Sequence, residues 1–151
     1  MSERWSKVLV AIEALVLAVP VTLLAALALL GAATYFLTAN SEPYERAQSI
    51  VYLVPLPPLA AGWTLIARFL GSGRAGLRSA RAYLWWLAVV GVALVISAAW
   101  VGYRLDTHDL EYEPTLWKWL LLYFRDLAFG LPAIVPLVHL AIERRVGMSS
   151  N

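Results

Sequence analysis

The run LWKWLLLYFRDLAFGLPAIVPLVHLAI, Leu116 to Ile142, decides how this chain is read. About 20 apolar helical residues cross the roughly 30 Å of bilayer hydrocarbon, and this run exceeds that length. Yet it carries Lys118, Arg125, Asp126 and His139 inside it, and Pro132 and Pro136 interrupt it. An ionised group at membrane depth costs about 2.5–3.5 kcal/mol on insertion scales, so each is expected to have a partner.

Three other apolar runs precede it. The first extends from Val8 to Leu37, about 45 Å as a helix, so its opening turns belong in the headgroup region and Glu13 near the cytoplasmic interface. The first span itself is taken as residues 12–37. Its apolar stretch is far longer than the roughly 7–15-residue core of a signal peptide, which favours an uncleaved helix. Pro20 lacks an amide donor and is expected to kink it, freeing the carbonyl of Val16.

The second span, residues 50–70, opens with Pro55, Pro57 and Pro58. Irregular backbone is expected from Val51 to Leu56, with helix from Pro57 onward. A loop is expected from Arg68 to Arg81, where glycines and serines accompany four arginines and no acid. Only about 14 helical residues remain, roughly 21 Å, too short to cross alone. The third span, residues 83–103, is the plainest: it has no charge, with Trp85 and Trp86 at one end and Trp100 and Tyr103 at the other. Trp63, alone in mid-span, is expected to pack against another helix. The fourth span is residues 116–141, with Pro114 suited to its first turn.

Composition agrees. The 151 residues are 61% hydrophobic and 15% charged, with mean hydropathy +0.69, where soluble domains have about 45–50% and 25%. Without cysteine there is no disulfide, thiol relay or thiolate metal site. The net charge of +2 and pI near 9.1 do not indicate a nucleic-acid partner, because the cations sit at helix ends rather than in a patch with stacking aromatics. No serine–histidine set, phosphate-binding glycine loop or zinc-protease pattern is present, so neither an enzyme nor a cofactor is expected.

Orientation follows from the cations. Arg4, Lys7, Arg68, Arg74, Arg78, Arg81, Arg144 and Arg145 fall on one side; Arg46, Arg104 and Lys118 fall on the other. The richer side is cytoplasmic. The expectation is therefore an all-α, single-domain, four-helix transmembrane bundle over residues 1–151, N-in and C-in, with a proline-broken second span. The arginine and alanine bias points to a bacterial inner membrane.

Four constellations carry possible chemistry. Arg125 and Asp126 are expected to dock on the broken backbone at Pro55, Pro57 and Pro58, a guanidinium offering five donors to carbonyls that proline leaves without partners; the plainer reading is that Arg125 snorkels to the outer headgroups. Lys118, Arg125, Pro132 and His139 recur every seven residues and would line one stripe of a regular helix. Glu13 and His139 lie at similar depth if the first and fourth helices touch, either as a simple interhelical hydrogen bond or as a pH-responsive pair. The outer loop Asp106, His108, Asp109, Glu111 and Glu113 has cation-ligand residue types but no calcium-loop spacing, so it is read as a solvated or partner-facing loop rather than a metal site.

No motif identifies a family. The expected role is non-catalytic intramembrane binding, as an immunity protein against a pore-forming or membrane-active bacterial toxin or as an accessory subunit. The partners are then the lipid bilayer and a membrane or toxin protein, with self-association left open. The alternatives are a small oligomeric transporter or channel with a polar path along the fourth span, and a lipid-modifying enzyme.

Overall fold

A computed structural model of the protein describes residues 2–37, 51–106 and 127–149. These residues form four helical rods. The first combines α1 (Glu3–Glu13), a π-helical turn (Ala14–Ala18) and α2 (Val19–Leu37). The second is led by a helical turn at 51–53 and continues as α3 (Leu56–Arg78). The third is α4 (Ala82–Asp106). The fourth begins as a 3-10 segment (Leu127–Ala133) and becomes α5 (Ile134–Ser149).

Three of these rods, Glu3–Thr34, Val51–Arg78 and Ala82–Val101, are long and apolar enough to cross a membrane. Only 17%, 28% and 17% of their apolar windows are buried inside the protein. Many of their large apolar side chains, such as Leu15, Leu23, Leu27, Val89 and Ile96, are exposed. Such outer faces are compatible with an apolar surrounding. Their hydroxyls do not oppose this, because Thr22, Thr34 and Thr64 donate to carbonyls three or four residues back in their own helices.

Proline acts differently at the two interrupted places. Before Pro20 the chain widens into the π turn, with the amide of Val19 donating to the carbonyl of Ala14. The interruption expected at Val16 is thus taken up as a wider turn. In the second rod the irregular stretch is shorter than expected, a single turn at 54–55. Pro55 caps α3, and Pro57 and Pro58 fall in its first turn, where amide donors have no helical acceptor anyway. The carbonyl of Val51, one of those that proline leaves without its usual donor, accepts the amide of Val54 at 3.3 Å.

The loop expected at residues 68–81 is mostly helix. α3 continues to Arg78, with one break at Gly73 (φ 62°, ψ −146°). Eight residues of straight helix span about 12 Å, yet a Cβ on Gly76 would strike the carbonyl of Arg68. The chain therefore turns back at Gly73 before α4 begins. The glycines and arginines mark a real reversal, but a helical one.

The core joins α1, α3, α4 and α5. Val10, Leu65, Phe69, Leu77 and Leu140 are completely enclosed, with Trp63 and Trp85 packed beside them. Trp63 also donates its indole N–H to Thr22 Oγ1 at 2.8 Å, which ties α3 to α2. Close packing recurs where a Cβ on Gly91 would lie 2.6 Å from Pro58 Cβ and one on Gly130 would lie 2.7 Å from Val95.

Candidate functional site

Polar side chains gather at one end of the bundle, where α1, α3 and α5 meet. On α1, Ser6 and Val10 are buried and Glu13 is half-buried, at spacings of four and three residues that keep them on one helical face. On α5, His139 and Glu143 are one turn apart and share a face. The break at Gly73 presents Arg74 to both. Glu3 reinforces the break, because its carboxylate occupies the space that a side chain at residue 73 would need.

Glu143 is the centre of this arrangement. It is only 4% exposed. Ser6 Oγ donates to its Oε1 at 2.7 Å, and Arg74 Nε donates to its Oε2 at 2.7 Å. Glu143 lies beyond the fourth apolar run. Burial pushes its carboxyl upward, but the hydrogen bonds from Arg74 and Ser6, with the charges of Arg74 and His139, outweigh burial and hold it below the ordinary 4.5. Each carboxylate oxygen thus has its own donor, which is what keeps a buried charge tolerable.

Glu13 and His139 are brought together. His139 Nδ1 lies 3.2 Å from Glu13 Oε1 and 3.1 Å from Oε2. Against an ionised carboxylate, which only accepts, Nδ1 would be the donor of this contact. The other ring nitrogen, Nε2, faces Glu143 Oε1 at 3.9 Å. His139 therefore sits between two carboxylates. The four groups open into a groove of about 450 Å³, whose remaining lining is Val135, Val138, Ile142 and Val146 of α5. Arg144 points elsewhere, with its guanidinium 4.8 Å from the ring centre of Trp85.

A second cavity, about 360 Å³ and nearly all apolar, lies in the other half of the bundle. Leu24 and Ala28 of α2, Pro58 of α3, Gly91 and Val95 of α4, and Phe129 of the 3-10 segment are among its walls. Pro55 and Pro58 thus line an apolar space, while Pro57 faces outward.

Several expected site residues lie outside the described residues: Lys118, Arg125, Asp126, His108, Asp109, Glu111 and Glu113, along with the side chain of Asp106. Of the seven-residue stripe, Lys118 and Arg125 lie outside the described residues, and the described part, Pro132 and His139, does not share a face. The stripe requires an unbroken α-helix, but Leu127–Ala133 is 3-10. At 3.0 rather than 3.6 residues per turn, seven residues rotate the later face by about 140°. Pro132 is outward-facing and His139 points inward at Glu13. Among the described residues, no group of three or more acids and histidines is placed to hold a metal ion.

Sequence reasoning missed Ser6, Arg74 and Glu143. Arg74 falls in the loop expected at residues 68–81, and Glu143 lies two residues beyond the expected end of the fourth span at 141. A signal did exist in the His139–Glu143 spacing of four and the Ser6–Val10–Glu13 spacing, each of which places polar groups on one helical face. Comparison with protein-family profiles, with curated proteins and with solved structures finds no match.

Proposed function

We propose that this chain is an integral protein of a bacterial inner membrane, with both termini cytoplasmic, that acts by binding another apolar element within the bilayer. The observation that carries the reading is the outward apolar surface of its three long helices, which leaves more than seven in ten residues of each apolar window unburied. Lipid suits such a surface, and so does a partner's helix. The apolar cavity between α2, α3 and α4 adds a recess where a partner's side chains would be taken up by close packing, which drives helix association in lipid.

Within that class, immunity to a pore-forming or membrane-active toxin fits best, with an accessory role in a membrane complex as the alternative setting. An immunity protein of this kind needs an apolar binding surface and a rigid bundle to present it. The polar cluster supplies rigidity by tying the first and last helices to α3.

The test uses a bacterium that expresses the chain together with the membrane-active product of a neighbouring gene, with membrane potential as the readout. Cells carrying both should keep their potential, and cells carrying the toxin alone should lose it. Substituting Ala25→Trp and Ala28→Trp, which fill the apolar cavity, should remove protection while the protein still accumulates in the membrane. Ion flux through liposomes containing the purified chain alone would overturn the binding reading in favour of a channel.

A further inference from the structure

Arg144 is held by an aromatic ring rather than by an acid. Its guanidinium carbon lies 4.8 Å from the centre of the Trp85 ring, and among the described residues it has no carboxylate partner. Glu143, its neighbour in the chain, turns instead toward Ser6 and Arg74. The stack encloses two donors, Trp85 Nε1 and Arg144 Nε, and no protein oxygen meets either of them. With Nε shut against the ring, the two Nη groups form the open edge of the guanidinium. Arg81 stands at the start of α4, one turn before Trp85, where its carbonyl accepts the amide of Leu84 at 3.1 Å. Arg78 closes α3 three residues earlier. Both are exposed, and among the described residues neither is paired with an acid.

An arginine stacked on an aromatic ring keeps its plane fixed and its fork of N–H groups free, which suits the oxygens of a phosphate. Trp85 opens the apolar segment Ala82–Val101. An indole at the end of a span lies at the level of the lipid headgroups, and the guanidinium above it is held at the same level. We propose that Arg144, stacked on Trp85, forms with Arg81 a site for the phosphate diester of an anionic phospholipid. Basic recesses between helices at the cytoplasmic end of a membrane protein hold such headgroups. A zwitterionic lipid fits less well, because its ammonium would lie among guanidinium groups that have no carboxylate to offset them. The acyl chains have a surface to follow, since Trp86, Val89 and Val90 of α4 are exposed. The inference rests on the membrane reading of the chain but not on toxin immunity, which concerns the opposite half of the bundle.

The membrane reading has its own check: the full chain should insert into nanodiscs of phosphatidylcholine, and failure to insert would overturn both it and the site. The site is then tested by native mass spectrometry of the purified full chain in a neutral maltoside detergent, with dioctanoylphosphatidylglycerol as the probe. One lipid should be retained, and dioctanoylphosphatidylcholine should bind more weakly by about fivefold or more, the scale of one arginine at a lipid surface. Arg144→Gln should weaken retention of the anionic lipid by a similar factor. Arg145→Gln removes the same charge from the next, exposed position and should leave it unchanged. Trp85→Leu keeps every charge but removes the ring, and should weaken binding as Arg144→Gln does. Arg81→Gln, at an exposed position, should also weaken it and covers the case in which Trp85→Leu does not fold. Equal retention of the two lipids, equal losses in Arg144→Gln and Arg145→Gln, or unchanged binding in Arg81→Gln would each overturn the assignment. Displacement of the lipid by an equal concentration of inorganic phosphate would overturn it in favour of a free-phosphate site.

Discussion

Ser6 Oγ donates a 2.7 Å hydrogen bond to Glu143 Oε1 across 137 positions of sequence, so the opening turns of the chain are fastened to its last helix. Both residues are buried, and Arg74 completes the junction from α3. Three helices therefore meet at one carboxylate. Removing it should be felt throughout the bundle.

Glu143→Ala leaves the Arg74 guanidinium without its carboxylate and the Ser6 hydroxyl without its acceptor. The expected loss is about 2–4 kcal/mol, since breaking a buried pair from one side strands the other charge. Ser6→Ala should cost less, about 1–2 kcal/mol, because Arg74 still holds the carboxylate. Thermal unfolding in mild detergent should rank them in that order, and equal melting points would contradict the junction.

Acid should loosen the same junction. The folded protein holds the Glu143 carboxyl below the ordinary 4.5, so the unfolded chain takes up that proton first as pH falls. Its contribution is fully present above about pH 4.5 and is lost as pH drops through the lower, folded value. Melting temperature should therefore fall on acidification below that point, and the fall should be shallower in Glu143→Gln. Identical acid profiles for the two proteins would refute the assignment.

Gly73→Ala should destabilise for two separate reasons. With φ 62° and ψ −146° this is backbone that essentially only glycine adopts, unfavourable for alanine by about 1–3 kcal/mol. Its methyl group would also displace the Glu3 carboxylate. Pairing it with Glu3→Ala should recover only the second part, because the backbone cost remains. Full recovery in the double variant would show that the φ angle carries no penalty.

Trp63→Phe keeps a ring in place but removes the 2.8 Å bond to Thr22. Interhelical hydrogen bonds within membranes contribute about 0.6 kcal/mol on average and reach about 1.7. A double-mutant cycle with Thr22→Val should return a coupling in that range. A coupling near zero would place the contact among the incidental ones.

Uniform, charge-free runs were the most legible part of the fold. Residues 83–103 read as helix on composition alone, and α4 runs from Ala82 to Asp106. The proline cluster was readable as a disturbance but not in extent, because proline at a helix start is harmless and proline a turn later is not. The reversal at Gly73 was legible as a turn and illegible as helix on both sides. At the candidate site, equal depth suggested Glu13 and His139 together, and the structure sets them 3.1 Å apart. Arg74 and Glu143 escaped because charges just beyond an apolar run ordinarily face water. Only the tertiary meeting of α1, α3 and α5 draws them inward.

The wider turn at Ala14–Ala18 has a consequence for how one rod serves two neighbourhoods. A helix of constant pitch lets its inner face drift steadily around the axis. One extra residue in a single coil resets that drift, like a half-step cut into a screw thread. Upstream of it the rod delivers Ser6, Val10 and Glu13 to the polar junction, and downstream it delivers Thr22 to the indole of Trp63. The two ends of this helix are thereby free to mesh with different neighbours without either bending to suit the other.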